Sequence, residues 1–428
     1  MNLLVFQEKM ACKKGMGFSL KTTLLDLRKH KSLYRNAFFL ILNYVFTLGI
    51  GYIFWIIITR FYSQKTVGLF SVLISALAVV TKISLLGLDN SLIRYIDKKK
   101  SYKKLINSGI LLSSVFSLTC SLFIIFLIRL FLPEHRSDIR IGVVLFFILG
   151  AVFTTISNLF NSVFIAGKKS IFLFIKDFSN GILKIIFVII FLAFSLFGLM
   201  FSVASSSAIS LLIAIFFYKY EFKISFDFDA VKSIIHYSAY MYVSSFFALT
   251  PLPVIQFLIT KFLSPEKSAV FYISYMLSYP LFFIPDALAM SLFAEGSARE
   301  KIKDKLKSIL KYSFLISLTG LFLLLIFGKI ILSIFGAAYP KEGYLPMIIL
   351  GFASLPFIIY ISYCSIYKIT DKKHEYLIVN IIYFVTSIIS SVLLIKNGLV
   401  GISIAIVIGW ASAVVYIIME SFYNGHKI

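Results

Sequence analysis

Ile58-Thr59-Arg60-Phe61-Tyr62-Ser63 returns 201 residues later as Ile259-Thr260-Lys261-Phe262-Leu263-Ser264. The match runs on without a gap to Gly68-Leu69-Phe70 and Ala269-Val270-Phe271, and five of its 13 positions are identical. Arg60/Lys261, Gly68/Ala269 and Leu69/Val270 are conservative replacements. Each copy follows one long apolar segment and precedes another. A stretch that recurs after half the chain, in that setting, points to two homologous membrane bundles.

Composition agrees. Hydrophobic residues make up 60% of the chain, charged residues 14%, and the mean hydropathy is +0.95. A soluble protein needs more polar surface than that. Segments of about 20 apolar residues are long enough to cross a bilayer as helices. In lipid the backbone must satisfy its own hydrogen bonds, so they are expected to be helical. Strands of a β-barrel would be shorter and alternate in polarity. Twelve spans are predicted, near 38–59, 67–92, 106–130, 141–166, 171–195, 197–218, 233–260, 268–294, 310–335, 345–367, 376–395 and 398–420. The division near Leu196–Leu199 is read at Gly198. The expected class is an all-α integral membrane protein with two six-helix bundles.

Charge gives orientation. Of the 42 Lys and Arg residues, 29 fall in the tails and even-numbered loops and 10 in the odd-numbered loops; Lys82, Lys176 and Lys184 lie within spans. The positive-inside rule then places both termini in the cytoplasm. With six helices per half, the halves share one orientation, so the repeat is parallel rather than inverted. The organisation expected is a cytoplasmic tail (1–35), a first bundle (36–220), a cytoplasmic linker (221–231), a second bundle (232–420) and a short tail (421–428). Ile165-Ala166-Gly167-Lys168-Lys169 and Ile369-Thr370-Asp371-Lys372-Lys373 give a weaker second echo.

The first 35 residues lack a signal-peptide pattern and read as a tail, with Met16 a second candidate start. Cys12, Cys120 and Cys364 are scattered, which suggests neither a disulfide nor a metal site. The net charge of +23 invites a nucleic-acid reading. Topology and anionic headgroups account for it better, so no nucleic-acid partner is expected.

Charges within spans are the functional candidates, because a Lys or Asp near the bilayer centre costs about 2.5–3.5 kcal/mol on insertion scales. In the fifth span Lys176, Asp177, Asn180 and Lys184 fall within an arc of about 100°. This polar stripe should face protein or water. An internal Asp177–Lys184 ion pair holding helices together, with Lys176 reaching the cytoplasmic surface, is the structural alternative. The second span carries Ser71, Ser75, Lys82 and Asp89 on one face, with Lys82 read as lying well inside. In the fourth span Thr154, Ser157, Asn158 and Asn161 share a face, suited to a cavity or to helix–helix hydrogen bonds. In the eighth, Pro280 and Pro285 should bend or break the helix beside Asp286. Asp177 and Asp286 are the candidates for coupling to a cation or proton. Tyr237, Tyr240, Tyr360 and Tyr363 are able to stack on sugars, although interfacial or packing roles explain most tyrosines.

No Walker A loop is present, since Gly167-Lys168-Lys169-Ser170 lacks the preceding glycine. HExxH and GxSxG are absent as well, and no loop is long enough for a donor-binding domain. An enzyme is therefore not expected, and no cofactor or metal is implied.

Several motifs together resemble the multidrug/oligosaccharidyl-lipid/polysaccharide exporter superfamily, and within it the O-antigen flippases. They are Asn43, Ile58-Thr59-Arg60-Phe61, Gly68-Leu69, Gly87-Leu88-Asp89-Asn90-Ser91-Leu92-Ile93-Arg94-Tyr95, Ala269-Val270-Phe271-Tyr272, Ile284-Pro285-Asp286-Ala287-Leu288 and Phe335-Gly336 with Tyr339. The resemblance implies a MATE-like transporter fold. It implies movement of an undecaprenyl-diphosphate-linked oligosaccharide, an O-antigen or capsule repeat, from the cytoplasmic to the periplasmic leaflet of the bacterial inner membrane. It also implies coupling to H+ or Na+, with a polysaccharide polymerase and a chain-length regulator as partners. A diphosphate needs cations in a low-dielectric cavity, and sugars need amides. The substrate-binding candidates are Arg60, Lys82, Asn158, Asn161, Lys176, Asn180 and Lys184. A drug–cation antiporter of the same superfamily is the main alternative, though its cavity should present acids and aromatic faces. A non-transporting scaffold of a polysaccharide assembly complex is the third reading.

Overall fold

The computed structural model describes residues 31–89, 92, 102–218, 242–295 and 302–423. The linker 221–231, most of both tails, Met16, Tyr237 and Tyr240 lie outside them. The described residues form helices and no strands. In the first half these are α1 (Lys31–Phe61), α2 (Gln64–Ser84), α3 (Tyr102–Phe131), α4 (Ile141–Ala166), α5 (Ser170–Ile190) and α6 (Ser195–Tyr218). In the second they are α7 (Pro251–Phe262), α8 (Pro265–Ser278), α9 (Pro280–Glu295), α10 (Ile302–Ser333), α11 (Ala338–Ile369), α12 (Lys373–Leu394) and α13 (Gly398–Tyr423). Helix α7 continues a span that begins at Tyr242.

The bend expected in the eighth span is present. Helices α8 and α9 meet at 46°, with Pro280 opening α9 and Pro285 inside it. A proline offers no N–H to the turn before it, so the helix breaks there. Nine other stretches are long and apolar enough to cross a membrane among the described residues. One of them, Lys373–Tyr423, contains both α12 and α13. Helix α5 has the length of a span but not the composition, because Lys176, Asp177 and Lys184 interrupt it. Divided this way, the helices make the 12 expected spans.

Each half packs as its own lobe, and the packing repeats. In the first lobe α4 lies against α3 and α6, and α6 against α5; in the second α11 lies against α10 and α13, and α13 against α12. The repeated serines have the same task. Ser63 caps α2 by accepting from the Thr66 N–H, and Ser264 caps α8 by accepting from the Lys267 N–H, both at 3.2 Å. Just beyond each cap a lysine holds an acid of its own lobe: Lys65 with Asp138 at 2.9 Å and Lys267 with Glu342 at 2.7 Å.

Two sequence readings need correction. The break between the fifth and sixth spans is not at Gly198, which lies inside α6. It is a short 3₁₀ turn, Leu192–Phe194, ended by Ser195 at φ 50°. The second lobe has the same turn at Ile395–Asn397, ended by Gly398 at φ 63°. Gly198 and Gly401 let each turn fold back, because a Cβ there would overlap the carbonyls of Phe191 and Leu394. The register of the second echo is also off by one. Lys168 and Asp371 are the matching positive-φ residues, at 53° and 57°, a spacing of 203. A left-handed residue that ends a helix fixes register more firmly than lysines that recur in loops.

The end of α1 at Phe61 defines the far face of the molecule, and its start at Lys31 the near face. At the far face the lobes meet along α2, which packs on both α7 and α8. At Gly68 there is no room for a side chain, since a Cβ would overlap the Pro265 carbonyl. Below this point Gln256 of α7 donates to the Ser71 hydroxyl at 2.9 Å and to the Ser268 carbonyl at 3.2 Å. The equivalent pair, 201 residues removed on each side, is Trp55 of α1 against Tyr272 of α8, with ring centroids 4.4 Å apart. Contacts exchanged in this way are what a two-fold axis along the membrane normal requires.

Candidate functional site

Helix α5 sorts its residues by side. Ile171, Phe178, Ile182, Ile186 and Ile189 are exposed and recur at helical spacing, as a lipid-facing stripe does. Lys176, Asp177, Asn180 and Lys184 lie on the other side, against α1, α4 and α6. The polar stripe therefore faces protein.

Its near end is a closed network. Lys176 is 1% exposed, and its ammonium lies 2.5 Å from Asp177 Oδ1 and 2.9 Å from the Ser157 hydroxyl. Asn43 of α1 donates to Asp177 Oδ2 at 3.1 Å. Ser210 of α6 donates to the Lys176 carbonyl and lies 3.4 Å from Ser157. Four helices are thus tied through one ion pair. It joins Asp177 to Lys176 rather than to Lys184, and Lys176 does not reach the surface, so the structural alternative read from the sequence had the wrong partner. Asn161 donates to Asn158 at 3.5 Å on the same face of α4, one turn from Ser157.

Its far end is different. The Lys184 ammonium stands 4.7 Å from the centre of the Phe54 ring, and no carboxylate among the described residues lies within ion-pairing distance. One turn away, the side-chain oxygen of Asn180 is buried with no hydrogen-bond partner; so is that of Asn161. A buried ammonium faced only by an aromatic ring retains capacity for an anion.

A second element opens toward the other lobe. Gly68, Ser71, Ser75, Ala78 and Lys82 form one stripe on α2. Ser71 and Ser75 are covered, whereas Ala78 and Lys82 are exposed on a helix otherwise almost wholly enclosed. The lobes therefore part along α2 between Ser75 and Ala78. The matching residue of Ala78 in the second lobe, Tyr279, is also exposed. Lys82 is not deep within its span as expected from the sequence. Helix α2 ends at Ser84, which puts Lys82 in the last turn, 3.7 Å from Asp89 Oδ2.

Asp286 lies on α9, and Lys368 of α11 is the cation whose field reaches it. Lys368 also stands 4.8 Å from the Tyr376 ring. The sequence reading had counted Lys368 as a loop residue. The signal was there, since Lys368 continues the apolar run that starts at Ala338. Tyr44 stacks on Phe283 at 4.1 Å, across the lobes on the near side of the seam. Tyr360, offered as a sugar platform, is buried against Trp410 and Tyr383 and donates to Asn380; its role is packing.

Arg60 stands apart from all of these. It lies at the far end of α1 and donates to the carbonyls of Ile334 and Ser333 at 2.7 and 2.9 Å. The structure thus brings Lys176, Asp177, Asn158 and Asn161 near one another, extends their stripe to Asn180 and Lys184, sets Lys82 in the gap, and leaves Arg60 outside.

The sequence pattern of the family described as "Polysaccharide biosynthesis protein" matches residues 33–294, more than half of the chain. The chain belongs to that family. No curated protein matches it. Among solved structures, it superposes on the lipid II flippase MurJ in an inward closed conformation with a TM-score of 0.71 and 15% identity, covering 90% of this chain and 87% of that one. It superposes on an inward-facing multidrug resistance MATE transporter of the MOP superfamily with a TM-score of 0.69 and 16% identity, covering 90% and 96%. A MOP transporter from Pyrococcus furiosus, described by a reversed polarity of its binding pocket, gives 0.65 at 14% identity, covering 92% and 95%. At such identities the likeness establishes the fold, which is MATE-like.

Proposed function

We propose that this polysaccharide biosynthesis protein is a flippase that carries a polyprenyl-diphosphate-linked oligosaccharide, an O-antigen or capsule repeat unit, across the bacterial inner membrane. Both termini are cytoplasmic in this reading, and the cargo moves from the near face to the far face. The observation that carries it is the stripe of α2, shut at Ser71 and Ser75 and open at Ala78 and Lys82. It sets a lysine in the gap between lobes, and the lone Lys184 offers a second cation deeper in the first lobe. Phosphate oxygens bind ammonium groups strongly where water is scarce. Asn158, Asn161 and Asn180 suit sugar hydroxyls. The prenyl chain stays in lipid, and rocking of the lobes alternates access. Lys176 acts as a structural pair with Asp177, not as a phosphate ligand. Asp286 is the better candidate for ion coupling, because Asp177 is already held by Lys176 and Asn43.

The test is flipping of a fluorescent polyprenyl-diphosphate oligosaccharide in vesicles holding the purified protein. Charge-assisted contacts are worth about 1.5–3 kcal/mol, so Lys82→Ala and Lys184→Ala should each slow flipping roughly ten- to a hundredfold. Asp286→Asn should leave a rate that no longer responds to an imposed ion gradient. Wild-type flipping by the double lysine variant would refute the cavity role. No flipping by the native protein, with efflux of an organic cation instead, would favour the antiporter.

A further inference from the structure

The repeated segment keeps a basic residue at one matched position, Arg60 in the first copy and Lys261 in the second, and among the described residues no polar network within a lobe uses either. Both are exposed at the far ends of their helices, α1 and α7. Arg60 belongs to the first lobe, and its guanidinium reaches the last carbonyls of α10 in the second, at Ser333 and Ile334. Lys261 belongs to the second lobe, and its ammonium stands 5.0 Å from the centre of the Phe131 ring, at the end of α3 in the first. Helix α10 is the counterpart of α3: Ser317-Leu318-Thr319 repeats Ser117-Leu118-Thr119 and Lys329 stands where Arg129 does, so Phe131 corresponds to Ile331, and the carbonyls that Arg60 reaches lie within one turn beyond it. Each basic residue therefore crosses to the same end of the matching helix on the opposite lobe.

We propose that Arg60 and Lys261 form a reciprocal clasp that holds the lobes together at the far face and must let go whenever that face opens. The two arms differ in chemistry. Arg60 spans two adjacent carbonyls with a planar fork, at a helix C-terminus where the dipole favours a cation. Lys261 meets aromatic faces, Phe131 across the lobes and Phe262 of its own helix at 5.5 Å, a weaker hold at an exposed site. The difference makes the first arm the stronger. The inference does not depend on the cargo, since it concerns closure alone. It also explains why the repeated stretch keeps a cation at this position in both copies.

The experiment measures distances between spin labels on the far face of the full chain in lipid nanodiscs, with Cys12, Cys120 and Cys364 replaced by serine. Labels at Ser137 and Ala337, both exposed, report the separation of the lobes. Labels at Ser137 and Phe194 report the first lobe alone. Arg60→Ala should raise the ratio of long to short separations about tenfold, and Lys261→Ala about threefold. Arg60→Lys keeps the charge but loses the fork, and should resemble Arg60→Ala more than the parent. The pair within the first lobe should not change. Unaltered lobe separation in the double variant Arg60→Ala/Lys261→Ala would overturn the clasp. An equal change in the first-lobe pair would also overturn it, because the effect would then be loss of the lobe's own fold.

Discussion

A buried charge can be a ligand or a strut, and for Lys176 and Asp177 the surroundings decide. The pair is enclosed and bonded by Asn43 and Ser157. Removing one partner of such a pair leaves an uncompensated charge, at a cost of about 3–5 kcal/mol, whereas replacing both with apolar residues is often near neutral. Lys176→Met should therefore lower the thermal unfolding midpoint in detergent sharply, and Lys176→Met with Asp177→Leu should recover most of the loss. A double variant as unstable as the single one would contradict the strut. The sequence made the stripe legible, because four polar residues within one arc of an apolar helix have few alternatives. It did not reveal which member was committed. That depended on Ser157 and Asn43, which approach from helices distant in sequence. Lys82 was misjudged in depth for a related reason. The apolar run continues through Leu85, Leu86 and Leu88, yet the helix ends at Ser84 and the chain turns with Leu86 at φ 50° and Gly87 at φ 74°.

Helices as elements were the most legible part, since apolar length in a bilayer leaves the backbone little choice. The fourth span, 141–166, has the predicted limits, and the bend of the eighth follows from Pro280. The turn after α5 was missed because its controlling residue is a serine. Ser195 holds a positive φ that glycine adopts without strain, and Gly398 occupies the matching position. The Ser195 hydroxyl lies 3.1 Å from that of Thr66, a bond that offsets the strain. Ser195→Gly, which loses both the bond and the strain, should be close to neutral. Ser195→Ala keeps the strain without the bond, and Gly398→Ala introduces strain where there was none; each should cost about 1–2 kcal/mol, read as a lower unfolding midpoint. Equal stability of Gly398→Ala and the parent would mean that the second turn tolerates a Cβ and that its match to the first is incidental.

For the whole molecule, the duplication was legible from 13 positions, while the way the copies meet was not. Gln256 with Ser71 and Trp55 with Tyr272 share no chemistry, and only the contacts of the fold, read in the 201-residue register, show them as equivalent. Their place is informative. The seam from Gly68 to Ser75 is tight, and the surface beyond Ala78 is open, so transport by rocking requires the seam to part. Ser71 and Ser268 bring their hydroxyls to 3.4 Å across it, one from each lobe. Cysteines at both positions should join under oxidation and fix the far face shut. In a chain otherwise free of cysteine, flipping should fall to the protein-free rate on oxidation and return on reduction, and either cysteine alone should have no such sensitivity. Mass spectrometry of the cross-linked peptide gives the fraction joined. If nearly every molecule is joined and flipping continues at its former rate, cargo does not pass by separating the lobes along α2 and α8, and the gap beside Lys82 would have to be reached by some other movement.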